Sequence, residues 1–212
     1  MTTDWSTVAS LATAGGTLIL AVSTFAAVRS SNRSARTTER ALLAGIRPVL
    51  VASRMEDPTE KVGFHDQHWV KVPGGHGVAE IHDDVIYLAL ALRNVGSGLA
   101  VLDRWDVQTG WARTVDAAHR DPEGYRRLTR DLYVAGGDCG FWQGALRDPD
   151  EPVYAEIRAA IEGGEAITLD LLYGDHEGGQ RTITRWGLIP HETGGWLPTV
   201  TSHWNLDRDD PR

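Results

Sequence analysis

Residues 84–95, DVIYLALALRNV, indicate the fold class of the folded part of this chain. The large aliphatic side chains in this stretch occupy alternate positions, so on a β-strand they share one face: they are Ile86, Leu88, Leu90 and Leu92. The positions between them are fairly apolar as well. That pattern is typical of a central strand that is covered on both sides.

Further strands are predicted outward from this one, in both directions along the chain. Alternation and turn signals place them at 48–55, 67–72, 99–107, 139–146, 166–175, 181–188 and 199–204. The turn 176–180 makes a hairpin of two of them, and 151–164 has the apolar spacing of a short helix. The segment 110–131 is predicted to be a polar excursion. Together these elements predict a mainly β fold: a two-layer antiparallel β-sandwich (immunoglobulin-like) with one inserted short helix.

The sequence GGTLILAVSTFAAVRSSNRSARTTER, residues 15–40, runs from apolar to basic. No charge lies between Asp4 and Arg29, and this uncharged stretch is about 36 Å long as a helix. A bilayer core is about 30 Å thick. A buried soluble helix rarely runs so far without charge, and a cleaved signal peptide requires basic residues at its start. We therefore predict an N-terminal transmembrane helix over residues 1–28.

Four arginines follow this helix directly: Arg29, Arg33, Arg36 and Arg40. No basic residue precedes the helix, so the positive-inside rule predicts a cytoplasmic location for everything that follows. Residues 29–47 are predicted to be a basic juxtamembrane helical stalk. The spacing of four, three and four residues puts these arginines on one helix face. That face either lies along anionic headgroups or is only solvated, and the sequence leaves both open.

The predicted membrane helix also carries a stripe of small residues, which are Ala9, Thr13, Gly16, Thr17 and Ala21. Small residues at this spacing let two helices approach closely. They predict a contact between membrane helices and, through it, a homo-oligomer.

Charge is unevenly distributed along the chain. Residues 1–47 carry a net charge of +3, whereas residues 48–212 hold 16 basic and 27 acidic residues, a net charge of −11. Phosphate backbones repel such a domain, which counts against nucleic acid as its partner. Cys139 is the single cysteine, so the chain forms no internal disulfide and no thiolate metal site.

The most suggestive polar cluster lies between residues 65 and 84. Its members are His65, Asp66, His68, His76, His82, Asp83 and Asp84. Histidine and carboxylate side chains are ligands for zinc or iron, and a loop could gather several of them. No recognised metal-binding spacing is present, so we assign no metal and no cofactor. Two other polar features, the Asp175 turn and the pair Arg181 and Arg185, are interpreted as turn chemistry and as exposed residues on an edge strand.

Three segments, RPVLVAS (47–53), LRNVGSGLA (92–100) and LLYGDHEGGQRTITRWGL (171–188), follow the N-terminal anchor. With it, they resemble a diffuse set of uncharacterised actinobacterial membrane proteins, in which a single helix carries an immunoglobulin-like sandwich. The resemblance implies a fold and a membrane location. It implies no activity.

Taken together, the sequence predicts a membrane-anchored, non-catalytic interaction or scaffold module. Its acidic β-sandwich domain (48–206) ends in a polar tail (207–212) and lies in the cytoplasm, below a bacterial inner membrane that the chain crosses once. The predicted partners are the lipid bilayer and a protein of unknown identity. Two alternatives remain open: a metal-dependent hydrolase using the 65–84 cluster, and an extracytoplasmic envelope-binding module.

Overall fold

The computed structural model describes residues 4–111, 118–192 and 194–208. The chain divides into two compact units, one up to Ala44 and the other from Gly45 onward. The first is a long apolar helix, and the second is a mostly antiparallel β domain with one short helix. The predicted mainly β fold with an N-terminal helix is therefore confirmed.

Helix α1 spans Trp5–Gly45, 41 residues without a break. It runs through the predicted boundary at residues 28 and 29, so the predicted membrane helix and stalk form one helix. The hydroxyls of Thr13 and Thr17 donate to the carbonyls of Ala9 and Thr13, each at 2.9 Å. These hydroxyls are thus satisfied within the helix. By length and composition α1 is long and apolar enough to span a membrane, and its large apolar side chains from Leu11 to Val28 are exposed.

Within the described residues, the second unit contains eleven strands, helix α2 (Pro152–Gly163) and a 3₁₀ turn (Pro122–Gly124). The strands are β1 (Leu50–Ala52), β2 (Glu60–Gly63), β3 (Trp69–Val72), β4 (Gly77–His82), β5 (Val85–Asn94), β6 (Ala100–Thr109), β7 (Arg126–Val134), β8 (Cys139–Leu146), β9 (Ile167–Gly174), β10 (Thr182–Pro190) and β11 (Trp196–Asn205).

The strands form two layers that enclose one core. In the first layer β5 pairs with β1, β4 and β8, and the second has the order β7-β6-β9-β10-β11. A single bridge between Trp196 and Gly77 joins β11 to β4. Leu90 of β5 belongs to the same buried cluster as Leu169 of β9 and Trp186 of β10. The inward faces of both layers therefore bury a common apolar surface, which is the main source of stability.

The hairpin β2–β3 forms a separate two-stranded sheet over the outer face of β5. Val62 and Val70 of the hairpin are buried with Tyr87, Ala89 and Ala91 of β5. The prediction that β5 is covered on both faces is therefore correct. Its cover includes β2, which the sequence analysis missed.

The turn at residues 96–98 carries the chain from the first layer to the second, because β5 and β6 do not pair within the described residues. The buried side chain of Asn94 holds this crossover by donating to the carbonyls of Gly98 and Val134. Gly98 is required, since a Cβ there would lie 1.7 Å from the carbonyl oxygen of Ile46. The connection between β5 and β6 is therefore a crossover and not a hairpin.

The structure corrects several boundaries and one placement. The predicted strand at 48–55 is only Leu50–Ala52, and strands β2, β4 and β7 were missed. β10 is an internal strand between β9 and β11, so the expectation of an edge strand was wrong. α2 is confirmed. The residue after its last turn, Gly164, caps the helix with a φ of 63°, a conformation that glycine adopts readily. Of the predicted tail, 209–212 lie outside the described residues.

Candidate functional site

The histidines and aspartates of 65–84 do not form a metal centre in the structure. The region is not one loop, since β3 and β4 occupy much of it. No group of three or more His, Cys, Asp or Glu side chains in the described ranges is placed to hold a metal ion.

Apart from His65, these side chains have local roles instead. Asp83 and Asp84 form the two-residue turn between β4 and β5, and both have positive φ, 48° and 57°. A type I′ hairpin turn requires that geometry, and Asp tolerates it. His82 lies beside this turn, with its Nε2 3.4 Å from an oxygen of Asp83. The ring of His76 donates from Nδ1 to the carbonyl of Gly74 at 2.8 Å.

His68 and Asp66 pack around Tyr87. The His68 ring stacks on Tyr87 with 4.1 Å between centroids, and its Nε2 lies 2.7 Å from Glu80. The hydroxyl of Tyr87 donates to Asp66 at 2.7 Å, and Arg147 pairs with the same carboxylate at 2.8 Å. Although burial opposes it, these two hydrogen bonds hold the pKa of Asp66 below its usual value.

Two other residues singled out in the sequence are also structural. Asp175 is buried and accepts hydrogen bonds from the backbone of Glu177 and Gly179, as the turn interpretation predicts. Burial and a hydrogen bond to Asp57 raise the pKa of the Cys139 thiol. A raised pKa disfavours the nucleophilic thiolate.

The outer face of the second layer contains a closed ion pair. Arg185 of β10 and Asp170 of β9 lie opposite each other, and two guanidinium nitrogens contact the carboxylate at 2.6 and 2.7 Å. Only 2% of Arg185 and 1% of Asp170 are exposed. The hydroxyl of Tyr125 donates to Asp170 at 3.1 Å, and Trp204 lies 4.9 Å from the Arg185 guanidinium. Tyr125 and Trp204 enclose the ion pair, so we interpret it as a structural element of the domain and not as a ligand site.

A groove lies between strands β7 and β8, beside the hairpin β2–β3. It consists of two adjoining hollows with volumes of about 280 and 410 Å³. Both hollows are lined by Phe64, His65, Thr129 and Gln143. His65 is the one member of the predicted cluster that lines them.

Four arginines line this groove: Arg126, Arg127, Arg130 and Arg147. Arg126 is neutralised by Glu151 and Asp106, and Arg147 by Asp66. Within the described part of the chain, Arg127 and Arg130 form no ion pair. Arg130 lies 5.4 Å from the ring of Phe141, a cation–π contact that leaves its charge unneutralised.

The floor of the groove is rigid. Trp105 and Trp142 pack edge to face beneath it, with centroids 5.2 Å apart. Gly144 fits above them because it lacks a side chain; a Cβ there would lie 2.8 Å from both indole rings. Beside it, Gln143 is only 6% exposed, and its Oε1 has no hydrogen-bond partner among the described residues.

Strand edges border the groove on both sides. In the described residues β7 pairs only with β6, and β8 only with β5. The register between β6 and β7 breaks, so that residues 128–131 lie opposite Asp103 alone. Bulges of this kind recur beside functional sites, where they redirect side chains.

The groove was not predicted, because β7 lies partly in the segment 110–131, for which the sequence predicts a polar excursion. One partial signal was available: in YRRLTRDLYV, residues 125–134, the aliphatic residues Leu128, Leu132 and Val134 are separated by even intervals. Even intervals indicate a strand, although Arg130 interrupts the series. The role of Gln143 had no such signal, because it depends on where β7 and the hairpin β2–β3 pack.

No protein-family model matches this chain, and no curated protein matches it in sequence. The fold and the site therefore define its class by themselves. It is a two-layer β domain that follows an apolar helix long enough to span a membrane, with a basic groove at the open side of the sandwich.

Proposed function

We propose that the chain is a single-pass membrane protein whose β domain is a non-catalytic binding module at the cytoplasmic face of a bacterial cell membrane. The observation that carries the proposal is the division of the chain. Helix α1 leaves its large apolar side chains from Leu11 to Val28 exposed, while the remaining chain forms its own core. Exposed apolar surface of that length is stable in a bilayer and unfavourable in water.

The row Arg29, Arg33, Arg36 and Arg40 supports the orientation. All four lie on α1 after its apolar part and are exposed. Basic residues beside a membrane helix favour the cytoplasmic side, and near anionic headgroups each contributes about 1 kcal/mol. The stripe from Ala9 to Ala21 remains a prediction of self-association, and the immunoglobulin-like relationship remains part of the proposal.

The groove supports a binding role. It offers unneutralised cationic side chains over a rigid floor, and the candidate catalytic residues of 65–84 are engaged in turns, stacks and ion pairs. Tethering confines such a module near other membrane-bound proteins and raises its effective concentration toward them. Membrane attachment itself then increases apparent affinity.

Topology is the first test. A reporter active only in the cytoplasm, and another active only outside it, are fused after Arg212 of the full chain. We expect a cytoplasmic signal that weakens when the four arginines are changed to glutamine. An external signal from the unmodified chain would overturn the orientation and favour an envelope-binding module.

The binding role has its own test. The full chain and a chain lacking residues 45–212 are each purified with their bound proteins after crosslinking in cells. A specific partner that is recovered only with the full chain is the expected result. Recovery of the same proteins with both chains would contradict a binding role for the β domain.

A further inference from the structure

The groove has more positive charge than the domain neutralises. Residues 48–212 carry a net charge of −11, yet Arg127 and Arg130 form no ion pair in the described residues. Every other arginine that lines the groove is paired. The charges of Arg127 and Arg130 are thus available to an anionic ligand. Guanidinium groups bind carboxylates through paired hydrogen bonds.

The borders of the groove favour a ligand that can form backbone hydrogen bonds. Strands β7 and β8 each have one edge without a strand partner in the described residues, and such an edge carries backbone N–H and C=O groups. A ligand with backbone N–H groups of its own can pair with them. An inorganic anion supplies mainly acceptors, whereas a peptide supplies backbone N–H groups and, when acidic, carboxylates as well.

The shape of the groove fits an extended chain. It lies between the edges of β7 and β8, and strand edges present backbone groups that an added strand can pair with. The break in register at 128–131 leaves that part of β7 opposite Asp103 alone.

We propose that this groove binds an extended, acidic segment of a protein partner. Carboxylates of the segment pair with Arg127 and Arg130, and backbone groups of the segment pair with the strand edges that border the groove. The proposal rests on the proposed function as a binding module and adds the chemical class of the ligand.

The test uses the full chain in zwitterionic detergent micelles and a fluorescein-labelled peptide of about ten residues in which Glu and Val alternate. Fluorescence anisotropy should show saturable binding that weakens as salt is added. The variant Arg127→Gln/Arg130→Gln should bind the peptide about tenfold more weakly or worse. The matched control is Arg54→Gln/Arg208→Gln, which removes the same charge from two exposed arginines outside the groove and should bind normally.

Two further probes test the peptide class. The same peptide with Gln in place of Glu should lose most of its binding, and so should a peptide N-methylated at alternate residues. Equal binding of all peptides, or no difference between the two arginine double variants, would overturn the proposal. Displacement of the peptide by inorganic phosphate, with the N-methylated peptide binding as well as its parent, would show a simple anion site and would overturn it too.

The outcome is separable from that of the proposed function. If crosslinking recovers a partner that depends on residues 45–212 but acidic peptides do not bind, only the assignment of the groove fails. If no such partner is recovered, the binding role itself fails.

Discussion

The β domain uses arginine in contrasting ways in two regions. On the outer face of the second layer, Arg185 is 2% exposed and held by both oxygens of Asp170. In the groove, Arg127 and Arg130 are exposed and form no ion pair within the described residues. Arg147, half-buried and paired with Asp66, lies between these extremes. A paired, enclosed arginine therefore stabilises the fold, whereas an unpaired arginine at an open groove is available to bind a ligand.

The largest effect is expected from breaking the enclosed pair. Asp170→Ala removes the carboxylate that contacts two nitrogens of the buried Arg185 guanidinium, and it removes the acceptor of Tyr125. Breaking a buried ion pair by removing one partner costs about 3–5 kcal/mol. We expect that loss in the free energy of unfolding, measured on the full chain in micelles by urea titration of tryptophan fluorescence.

The control for this experiment removes both charges together. Asp170→Leu/Arg185→Met fills a similar volume with apolar side chains, so it should be clearly more stable than Asp170→Ala. If both variants lose the same stability, packing volume and not charge compensation is what matters at this position. Equal stability of Asp170→Ala and the unmodified chain would contradict the closed-pair interpretation.

A smaller effect is expected where Tyr87 donates to Asp66, the carboxylate that pairs with the groove residue Arg147. Tyr87→Phe keeps the ring that stacks on His68 and removes the hydroxyl, so we expect a loss of about 1–2 kcal/mol, typical of a hydrogen bond to a charged group. Tyr133→Phe, at an exposed tyrosine of β7, is the matched control and should change little. A loss of the same size in the control would remove the special role of Tyr87.

The same contact predicts a pH dependence. Burial and the hydrogen bond to Asp66 raise the pKa of Tyr87 to about 12, whereas an unfolded tyrosine titrates near pH 10. Because the folded pKa is the higher one, this contribution is complete below about pH 10 and is lost as the pH rises toward 12. In Tyr87→Phe the free energy of unfolding should begin to fall at the same pH but should fall less steeply as the pH rises. Ultraviolet absorbance of phenolate should show one fewer late-titrating tyrosine in this variant.

The parts of this fold that could be predicted from the sequence are the strands with a regular alternation of apolar residues. The alternation in DVIYLALALRNV predicted β5 and its cover on both faces, since side-chain period and burial agree there. The hairpin of β9 and β10 was predicted for the same reason. Its register places Asp170 opposite Arg185, whereas counting outward from the predicted turn 176–180 puts Asp170 opposite Trp186, so the closed pair could not be predicted from the turn alone.

The groove could be predicted only in part. In β7 the aliphatic residues Leu128, Leu132 and Val134 lie at even spacing, but Arg130 interrupts the series and the charged residues resemble those of a loop. The position of Gln143 and the unpaired state of Arg130 depend on which strands become neighbours across the open side of the sandwich. Those contacts join residues far apart in sequence, which periodicity does not report. For the same reason the sequence does not show that, of the 65–84 histidines, His68 and His82 stack with centroids 4.9 Å apart while His76 lies beside His191.

The smallest effect on stability is expected where the effect on binding should be largest. Arg127→Gln/Arg130→Gln removes two exposed charges that form no ion pair in the described part of the chain, so the free energy of unfolding should change by no more than about 0.5 kcal/mol. Removing positive charge beside Arg126 also relieves repulsion, which favours a change in the stabilising direction. Urea titration beside Arg54→Gln/Arg208→Gln checks this, and the two double variants should be equally stable. A loss comparable to that of Tyr87→Phe would show that these arginines support the fold. In that case the contrast between closed and open arginines would no longer identify the groove as a binding site.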